Sequence, residues 1–274
     1  MAERLRSESS LKRQTGFATV TMICFFLLYL PIACLVVYAF NAGSSIAAWE
    51  GFSLRWFVSA WDNHLVIEAS WRSLRIAAAA AVIATVCATL AAIATTNAAP
   101  YRGLGAKYAF INMPLLVPEI VTAVALLIFF ARIKVWTGYS GLGYLILAHC
   151  AFCVPFAYLP IRARLESMDL SLARAAADLY ATPLRIFWHV TLPLLWPGIL
   201  AGFMLAFIIS LDDVVITEFV KSSGQDTLPT YMLGQIRRAI TPELNAISTV
   251  FLLLSLALIT VFFCLSRNRQ PDNE

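Results

Sequence analysis

Five ionisable side chains fall inside long apolar stretches of this sequence: Glu119, His149, Asp212, Asp213 and, near the end of its stretch, Glu218. An ionisable group at membrane depth costs free energy and usually faces a cavity or a charged partner. The same stretches contain no deep Lys or Arg that would neutralise the acids. Because a passage lined by carboxylates attracts cations, the pattern predicts a route for a cationic solute with Asp213 as its main acid. The residues predicted to line this route are Glu119, Phe207, Ser210, Asp212, Asp213 and Thr217.

The fifth apolar stretch carries the adjacent acids Asp212 and Asp213. If it is one continuous helix, side chains spaced by 4, 3, 3 and 4 residues form one stripe along it: Phe203, Phe207, Ser210, Asp213 and Thr217. Aromatic rings next to carboxylates suit an alkyl amine, and Asp212 lies about 100° away from the stripe. The alternatives are that Asp212 or Asp213 is a hydrated structural residue, and that Glu119 makes a helix-packing hydrogen bond next to a kink. We expect His149 to be a packed, hydrogen-bonded residue.

Acids at membrane depth also occur in two other classes of protein. An intramembrane enzyme is disfavoured, because adjacent helical residues point about 100° apart and Asp212 with Asp213 would make a poor proton-sharing dyad; no catalytic residue is predicted. A proton-driven secondary transporter using Glu119 and Asp213 is the other alternative. The pair Cys150 and Cys153 lies on an apolar helix without a second pair, so no metal site is predicted.

The elements that carry these residues are membrane helices. Of 274 residues, 60% are hydrophobic and 13% charged, against roughly 25% charged in soluble domains. These values exclude a soluble enzyme, a disordered chain and a nucleic-acid binder, and the long runs lack the alternation of a membrane β-barrel. A spanning helix needs about 20 apolar residues, and six runs qualify: Phe17–Phe40, Leu74–Thr95, Tyr108–Ala131, Leu142–Leu159, Pro197–Thr217 and Leu244–Leu265. Pro114 and Pro118 predict that the third span is bent or broken.

The loops predict orientation and organisation. With the N-terminus inside, the cytoplasmic segments hold twelve Lys and Arg residues and the outer segments eight, so both termini are predicted to be cytoplasmic. We expect one domain over residues 17–265, with tails at 1–16 and 266–274. Four Trp residues in 41–73 predict an interfacial helix, and the alanine-rich second run predicts a close packing face.

The longest predicted cytoplasmic loop, residues 161–196, contains residues that typically begin and end helices. Asp169 or Ser171 can cap a short helix through Tyr180. Thr182 and Pro183 then begin a second helix as N-cap and first helical residue. We expect that helix to run to about His189, and the Leu192-Pro193 and Trp196-Pro197-Gly198 segments to end it.

The loop resembles the signature of bacterial ABC-importer permeases of the type I class: Glu-Ala-Ala, three residues, Gly, nine residues, Ile-x-Leu-Pro. Here Arg174-Ala175-Ala176 is followed, at the same spacing, by Tyr180 and Val190-x-Leu192-Pro193. The segments Pro118–Val121, His149-x-x-Phe152-x-x-Pro155-Phe156, Ser210–Val215 and Thr241–Ala246 are similar to the second permease subunit of spermidine/putrescine importers. The resemblance covers most of the chain from Phe52 onward and implies the type I permease fold with six transmembrane helices.

In that family the loop forms the coupling helix that docks into the cytoplasmic ATPase. The resemblance therefore implies eight coupling residues: Arg174, Ala175, Ala176, Asp178, Tyr180, Val190, Leu192 and Pro193. Two of them depart from the family. Arg174 replaces Glu and reverses the charge offered to the ATPase, although Asp178 lies one turn along. Tyr180 replaces a Gly that tolerates positive φ, so it must turn differently or carry strain.

The resemblance also implies the partners: a second homologous permease in a heterodimer, two ABC ATPases, a periplasmic binding protein and membrane lipid, with no nucleic acid. The chain lacks the Gly-x-x-x-x-Gly-Lys-Ser/Thr phosphate loop. ATP and Mg are thus expected on the ATPases and no cofactor on this chain. The expected function is uptake of a small organic cation, a polyamine, across the bacterial inner membrane. Phosphonate or iron import is the alternative within the same fold.

Overall fold

The computed structural model describes residues 15–45, 48–96, 103–169, 171–238 and 241–267. Most of the predicted tails, 1–16 and 266–274, lie outside these residues. Within them the chain is helical, and its α-helices are α1 Thr15–Tyr38, α2 Arg55–Asp62, α3 His64–Thr96, α4 Leu104–Leu116, α5 Glu119–Thr137, α6 Gly143–Ser167, α7 Ser171–Asp178, α8 Pro183–Ile186, α9 Leu192–Asp212, α10 Val215–Val220, α11 Leu228–Arg238 and α12 Pro242–Arg267. A π-helical turn, Phe187–Thr191, joins α8 to α9.

The described residues contain six helical stretches that are long and apolar enough to cross a membrane: Phe17–Tyr38, His64–Thr96, Glu119–Thr137, Gly143–Ser167, Pro183–Asp212 and Pro242–Phe262. Each overlaps one of the six predicted runs. The predicted all-α, six-span fold is confirmed.

The chain divides into two compact units. The first comprises the described parts of Met1–Asn63 and Ile236–Leu253, and the second those of His64–Gln235 and Leu254–Glu274. In the first unit, the fully buried Asn41 organises the turn after α1. Its amide nitrogen donates to the carbonyl of Ala48 at 2.7 Å, and its amide oxygen accepts from the backbone of Glu50 at 2.9 Å. The Trp56 indole donates to the Asn41 carbonyl at 3.0 Å, which anchors the short amphipathic helix α2.

The core of the second unit is the packing of α3, α6 and α9 against one another. The predicted small-residue face of α3 is buried, with no exposed surface left on Ala77, Ala80, Ala81, Ala84 and Ala88. Two glycines of α9 allow an equally close approach to α6. A Cβ on Gly202 would lie 2.7 Å from the Ala157 carbonyl oxygen, and a Cβ on Gly198 would lie 2.5 Å from Arg164 Cβ.

The third predicted span is broken, as its prolines indicate. Helix α4 ends at Leu116, Val117 and Pro118 are extended, and α5 begins at Glu119. The break lies at Pro118 because this residue has no N–H and disfavours a helical conformation of the residue before it. Pro114 remains inside α4.

The fifth span differs from the prediction at both ends. The prolines do not end the preceding helix: one helical stretch runs from Pro183 to Asp212. The π-helical turn widens the helix just before Pro193, with the N–H of Leu192 donating to the carbonyl of Phe187, and Pro193 falls in the first turn of α9. At the other end the helix stops at Asp212, because Asp213 is extended with ψ 131°.

Candidate functional site

A buried polar cluster in the second unit joins α6, α9 and α10. Its members are His149 of α6, Ser210 near the end of α9, Asp213 in the break and Thr217 of α10. Each is at most 7% exposed. Such a cluster is stable only when its polar atoms are paired.

Both ring nitrogens of His149 are used. Nδ1 lies 2.8 Å from Ser210 Oγ and Nε2 lies 2.9 Å from Thr217 Oγ1. Because the Thr217 hydroxyl donates to Asp213 at 2.8 Å, it accepts from His149 Nε2. Ser210 then donates to Nδ1, so a neutral imidazole satisfies every partner. The expectation of a packed, hydrogen-bonded His149 agrees with this geometry.

The Asp213 carboxylate caps α10. One oxygen accepts from the backbone of Ile216 at 3.2 Å, and the other accepts from the backbone of Thr217 at 2.8 Å. These are the free N–H groups of a first helical turn, which an acidic side chain stabilises. The second oxygen also lies 3.4 Å from His149 Nε2. All of these contacts point into the protein.

The predicted continuous stripe on the fifth span is therefore wrong. Phe207 and Ser210 are on α9, but Asp213 and Thr217 lie beyond the end of that helix. Phe207 is buried and its ring stacks on Phe203 with centroids 6.1 Å apart. Ser210, Asp213 and Thr217 come together around His149, not along a helix surface.

Two other acids adjoin the buried cluster at the surface of the second unit. Asp212, the last residue of α9, is exposed. Glu119, the first residue of α5, is half-buried, and its carboxyl interacts with that of Asp213. Helix α5 packs on α10, so Glu119 and Asp212 each adjoin Asp213 in the break between α9 and α10.

The loop 161–196 forms the predicted first short helix as α7, whereas the second, α8, begins as predicted but continues through the π-helical turn into α9. Asp169 caps the first: its carboxylate accepts from the Ser171 N–H at 2.8 Å and from the Ser171 hydroxyl at 2.7 Å. These two hydrogen bonds hold the pKa of Asp169 below its usual value. Thr182 and Pro183 occupy the predicted N-cap and first position of α8.

Tyr180 takes the left-handed conformation expected of a glycine, with φ 59°. The N–H of Ala181 bonds to the carbonyl of Ala176 at 3.1 Å and that of Tyr180 to the carbonyl of Ala177 at 2.9 Å. This pair of bonds is the Schellman motif that ends many helices. The Tyr180 side chain is 96% exposed, so the turn survives the loss of glycine and presents an aromatic ring.

The other predicted coupling residues are divided between α7 and the π-helical turn. Arg174, Ala175 and Asp178 are exposed on α7, and Ala176 is half-buried. Val190 lies in the π-helical turn, with Leu192 and Pro193 directly after it. The loop is thereby continuous with the helix that leads to Asp212.

Sequence reasoning missed the polar contacts of the segment after α10. Lys221 donates to Glu218 and Asp226, both at 2.6 Å. Burial alone would lower the pKa of Lys221, but these two carboxylates outweigh it and raise the pKa. Lys134 of α5 donates to Ser222 at 2.6 Å. A Lys three residues after a Glu was the available signal.

The family model described as "Binding-protein-dependent transport system inner membrane component" matches residues 106–272. The chain belongs to this family. The match covers the loop 161–196 and both surface acids of this permease, and it confirms the family resemblance found in the sequence.

Curated relatives of the permease extend over most of its length. It is 36% identical over 236 residues to the putrescine transport system permease protein PotI of Escherichia coli K12, which covers 85% of this chain and 84% of the relative. It is 35% identical over 243 residues to the spermidine/putrescine transport system permease protein PotC of Haemophilus influenzae, which covers 89% and 93%.

Solved structures share the fold. A bacterial alginate ABC transporter, in complex with a periplasmic protein that holds an alginate pentasaccharide, superposes with a TM-score of 0.72 at 16% identity, over 97% of this chain and 98% of that chain. The MetNI methionine ABC transporter superposes with a TM-score of 0.66 at 17% identity, over 78% and 99%. The predicted type I ABC-importer permease fold is confirmed.

Proposed function

We propose that this permease imports polyamines, putrescine or spermidine, and that Glu119 and Asp212 line the route. The observation that carries the proposal is that two acids at the surface, Glu119 and Asp212, both adjoin Asp213 in the break between α9 and α10. The names of PotI and PotC, at 36% and 35% identity, support the substrate class.

Moving a diamine out of water and into the passage costs free energy. An ammonium group loses hydration on entering a low-dielectric passage, and a carboxylate replaces part of it. Two separated acids bind more weakly than one tight cage, and weak binding permits release. A solute can reach both acids, because Asp212 is exposed and Glu119 is half-buried, and the two belong to different helices.

The remaining predicted path residues, Phe207, Ser210, Asp213 and Thr217, are buried. In this proposal they lie behind the route and support its wall. This permease then contributes half of the pathway, and a second homologous permease contributes the other half as a heterodimer within the lipid bilayer.

ATP supplies the energy through partners. The exposed turn at Tyr180 and helix α7 dock on one of two ABC ATPases, which bind ATP and Mg. The stretch from Pro183 to Asp212 carries the movement towards the acids. In this proposal the permease resides in the bacterial inner membrane, with the loop 161–196 and both termini on the cytoplasmic side. A periplasmic binding protein delivers the polyamine on the opposite side.

Uptake by the assembled complex in proteoliposomes tests the route. We expect Asp212→Asn and Glu119→Gln to slow uptake of labelled putrescine while the complex still assembles. Glu166→Gln is the matched control, because Glu166 is a surface acid paired with Arg162 at 2.7 Å and lies outside the cluster. Unchanged uptake in both route variants, and in the double variant, would remove these acids from the route.

A further inference from the structure

We propose that His149 is a positioning residue, whose imidazole fixes the positions of both route acids, Asp212 and Glu119. The proposal rests on the proposed function, since it concerns how Asp212 and Glu119 are held where a cation passes. His149 touches neither acid. It acts through Ser210, Thr217 and Asp213.

The first connection runs to Asp212. Ser210 Oγ lies 2.8 Å from His149 Nδ1 and belongs to the last turn of α9, two residues before Asp212. The chain leaves the helix at Asp213, so the helical hydrogen bonds of α9 do not continue into α10. The bond from His149 therefore fixes the end of α9, and with it Asp212, to α6.

The second connection runs to Glu119. His149 Nε2 lies 2.9 Å from the Thr217 hydroxyl, which also donates to Asp213. These contacts hold the first turn of α10, the helix on which α5 packs. Glu119 begins α5 immediately after the break at Val117 and Pro118, so its position depends on how α5 packs against α10.

An imidazole suits this task because its two nitrogens face opposite partners. One accepts from a hydroxyl of α9 while the other donates to a hydroxyl of α10. His149 itself is 1% exposed, so water cannot replace a lost partner. An aliphatic side chain at position 149 would leave Ser210 and Thr217 without their shared partner, and the break between α9 and α10 would gain freedom.

Greater freedom of the break predicts a particular kinetic effect. Acids that sample several positions bind the cation more weakly, whereas the coupling loop and its ATPase contacts are untouched. Uptake of polyamine per ATP hydrolysed should therefore fall about tenfold, the change that corresponds to 1.4 kcal/mol of binding. The ATPase rate of the assembled complex should change much less, and so should the half-saturating concentration of polyamine, because the binding protein captures the solute.

The test measures putrescine uptake and ATP hydrolysis by the assembled, reconstituted complex for two pairs of variants. His149→Leu and Thr217→Val remove the bonds, while His149→Gln and Thr217→Ser keep a donor and an acceptor. We expect the first pair to lower uptake per ATP hydrolysed and the second pair to restore it substantially. Thr89→Val is the control, because it removes a comparable buried hydroxyl bond, 2.7 Å to the Thr85 carbonyl of α3, that contacts no member of the cluster.

Three outcomes decide the proposal. Lower uptake per ATP hydrolysed in Thr217→Val that Thr217→Ser and Thr89→Val do not share supports it. Wild-type kinetics in Thr217→Val and His149→Leu, with Asp212→Asn impaired in the same assay, overturn the role of His149 and leave the route intact. If Asp212→Asn and Glu119→Gln are also normal, the route itself has failed. Should His149→Leu not assemble, Thr217→Val and the milder Ser210→Ala give the same decision.

Discussion

Asp212 and Asp213 are consecutive in the chain, yet Asp212 is exposed whereas the side chain of Asp213 is only 2% exposed. The end of α9 between them separates two roles. Asp212 remains on the surface at the end of a spanning helix. Asp213 turns inward, caps α10 and approaches His149.

This separation predicts different consequences for the same substitution. In Asp213→Asn the new amide group can accept at only one atom, so an N–H of Ile216 or Thr217 loses its acceptor, at about 1–3 kcal/mol. We expect Asp213→Asn to lower the melting temperature in detergent and Asp212→Asn to leave it unchanged. Equal stability of the two variants would contradict the capping role of Asp213.

A second prediction concerns the close approach of α9 to α6. A Cβ at Gly202 would lie 2.7 Å from the backbone oxygen of Ala157, and separating the helices should cost about 1–3 kcal/mol. We expect Gly202→Ala to lower the melting temperature. Gly234→Ala in α11 is the control, since a Cβ there meets nothing within 4 Å and should be neutral or stabilising by about 0.5–1 kcal/mol. A Gly202→Ala protein as stable as wild type would mean that the two helices are not in this contact.

A third prediction concerns helix α7 as the coupling element. Ala176→Pro removes a helical N–H and should disrupt this helix by about 3 kcal/mol or more. Uptake should fail while the permease still reaches the membrane, as measured by ATP-driven transport and membrane immunoblot. Ala176→Ser keeps the N–H at nearly the same size and should transport normally. Normal transport in Ala176→Pro would show that α7 does not transmit the movement.

A fourth prediction separates the backbone and the ring of Tyr180. Left-handed backbone costs an ordinary residue roughly 1–2 kcal/mol, so Tyr180→Gly should relieve that strain while losing the exposed ring. Tyr180→Ala loses the ring and keeps most of the strain. If the ring contacts the ATPase, both variants should copurify with less ATPase than wild type. If only the turn matters, Tyr180→Gly should copurify at least as well, and that result would assign no contact to the ring.

The sequence was sufficient for the spans, because the length of an apolar run limits the helix it can form. It was also sufficient for the break at Pro118 and the start of α8 at Pro183, since proline constrains the backbone locally. The exit of Asp213 from α9 was missed because an acid at helical spacing carries no signal for an extended backbone. The prediction that the prolines after Thr191 end the helix was wrong for a related reason. A π-helical turn accommodates the missing N–H of Pro193, and the sequence carries no signal for a π-helical turn.

The cluster around His149 was only partly predictable. Ser210, Asp213 and Thr217 were selected for a helical stripe, but their common contact is with a residue about sixty positions earlier. Spacing describes neighbours on one element, and this cluster is formed by the packing of three elements.

The most direct test of the account is accumulation of labelled putrescine or spermidine in proteoliposomes that contain this permease, its partner permease, the ATPases and the binding protein. We predict uptake that requires ATP on the side of the loop 161–196 and persists when the proton gradient is dissipated. Uptake driven by a proton gradient without ATP, or ATP-driven uptake of phosphonate or iron with none of polyamine, would contradict it.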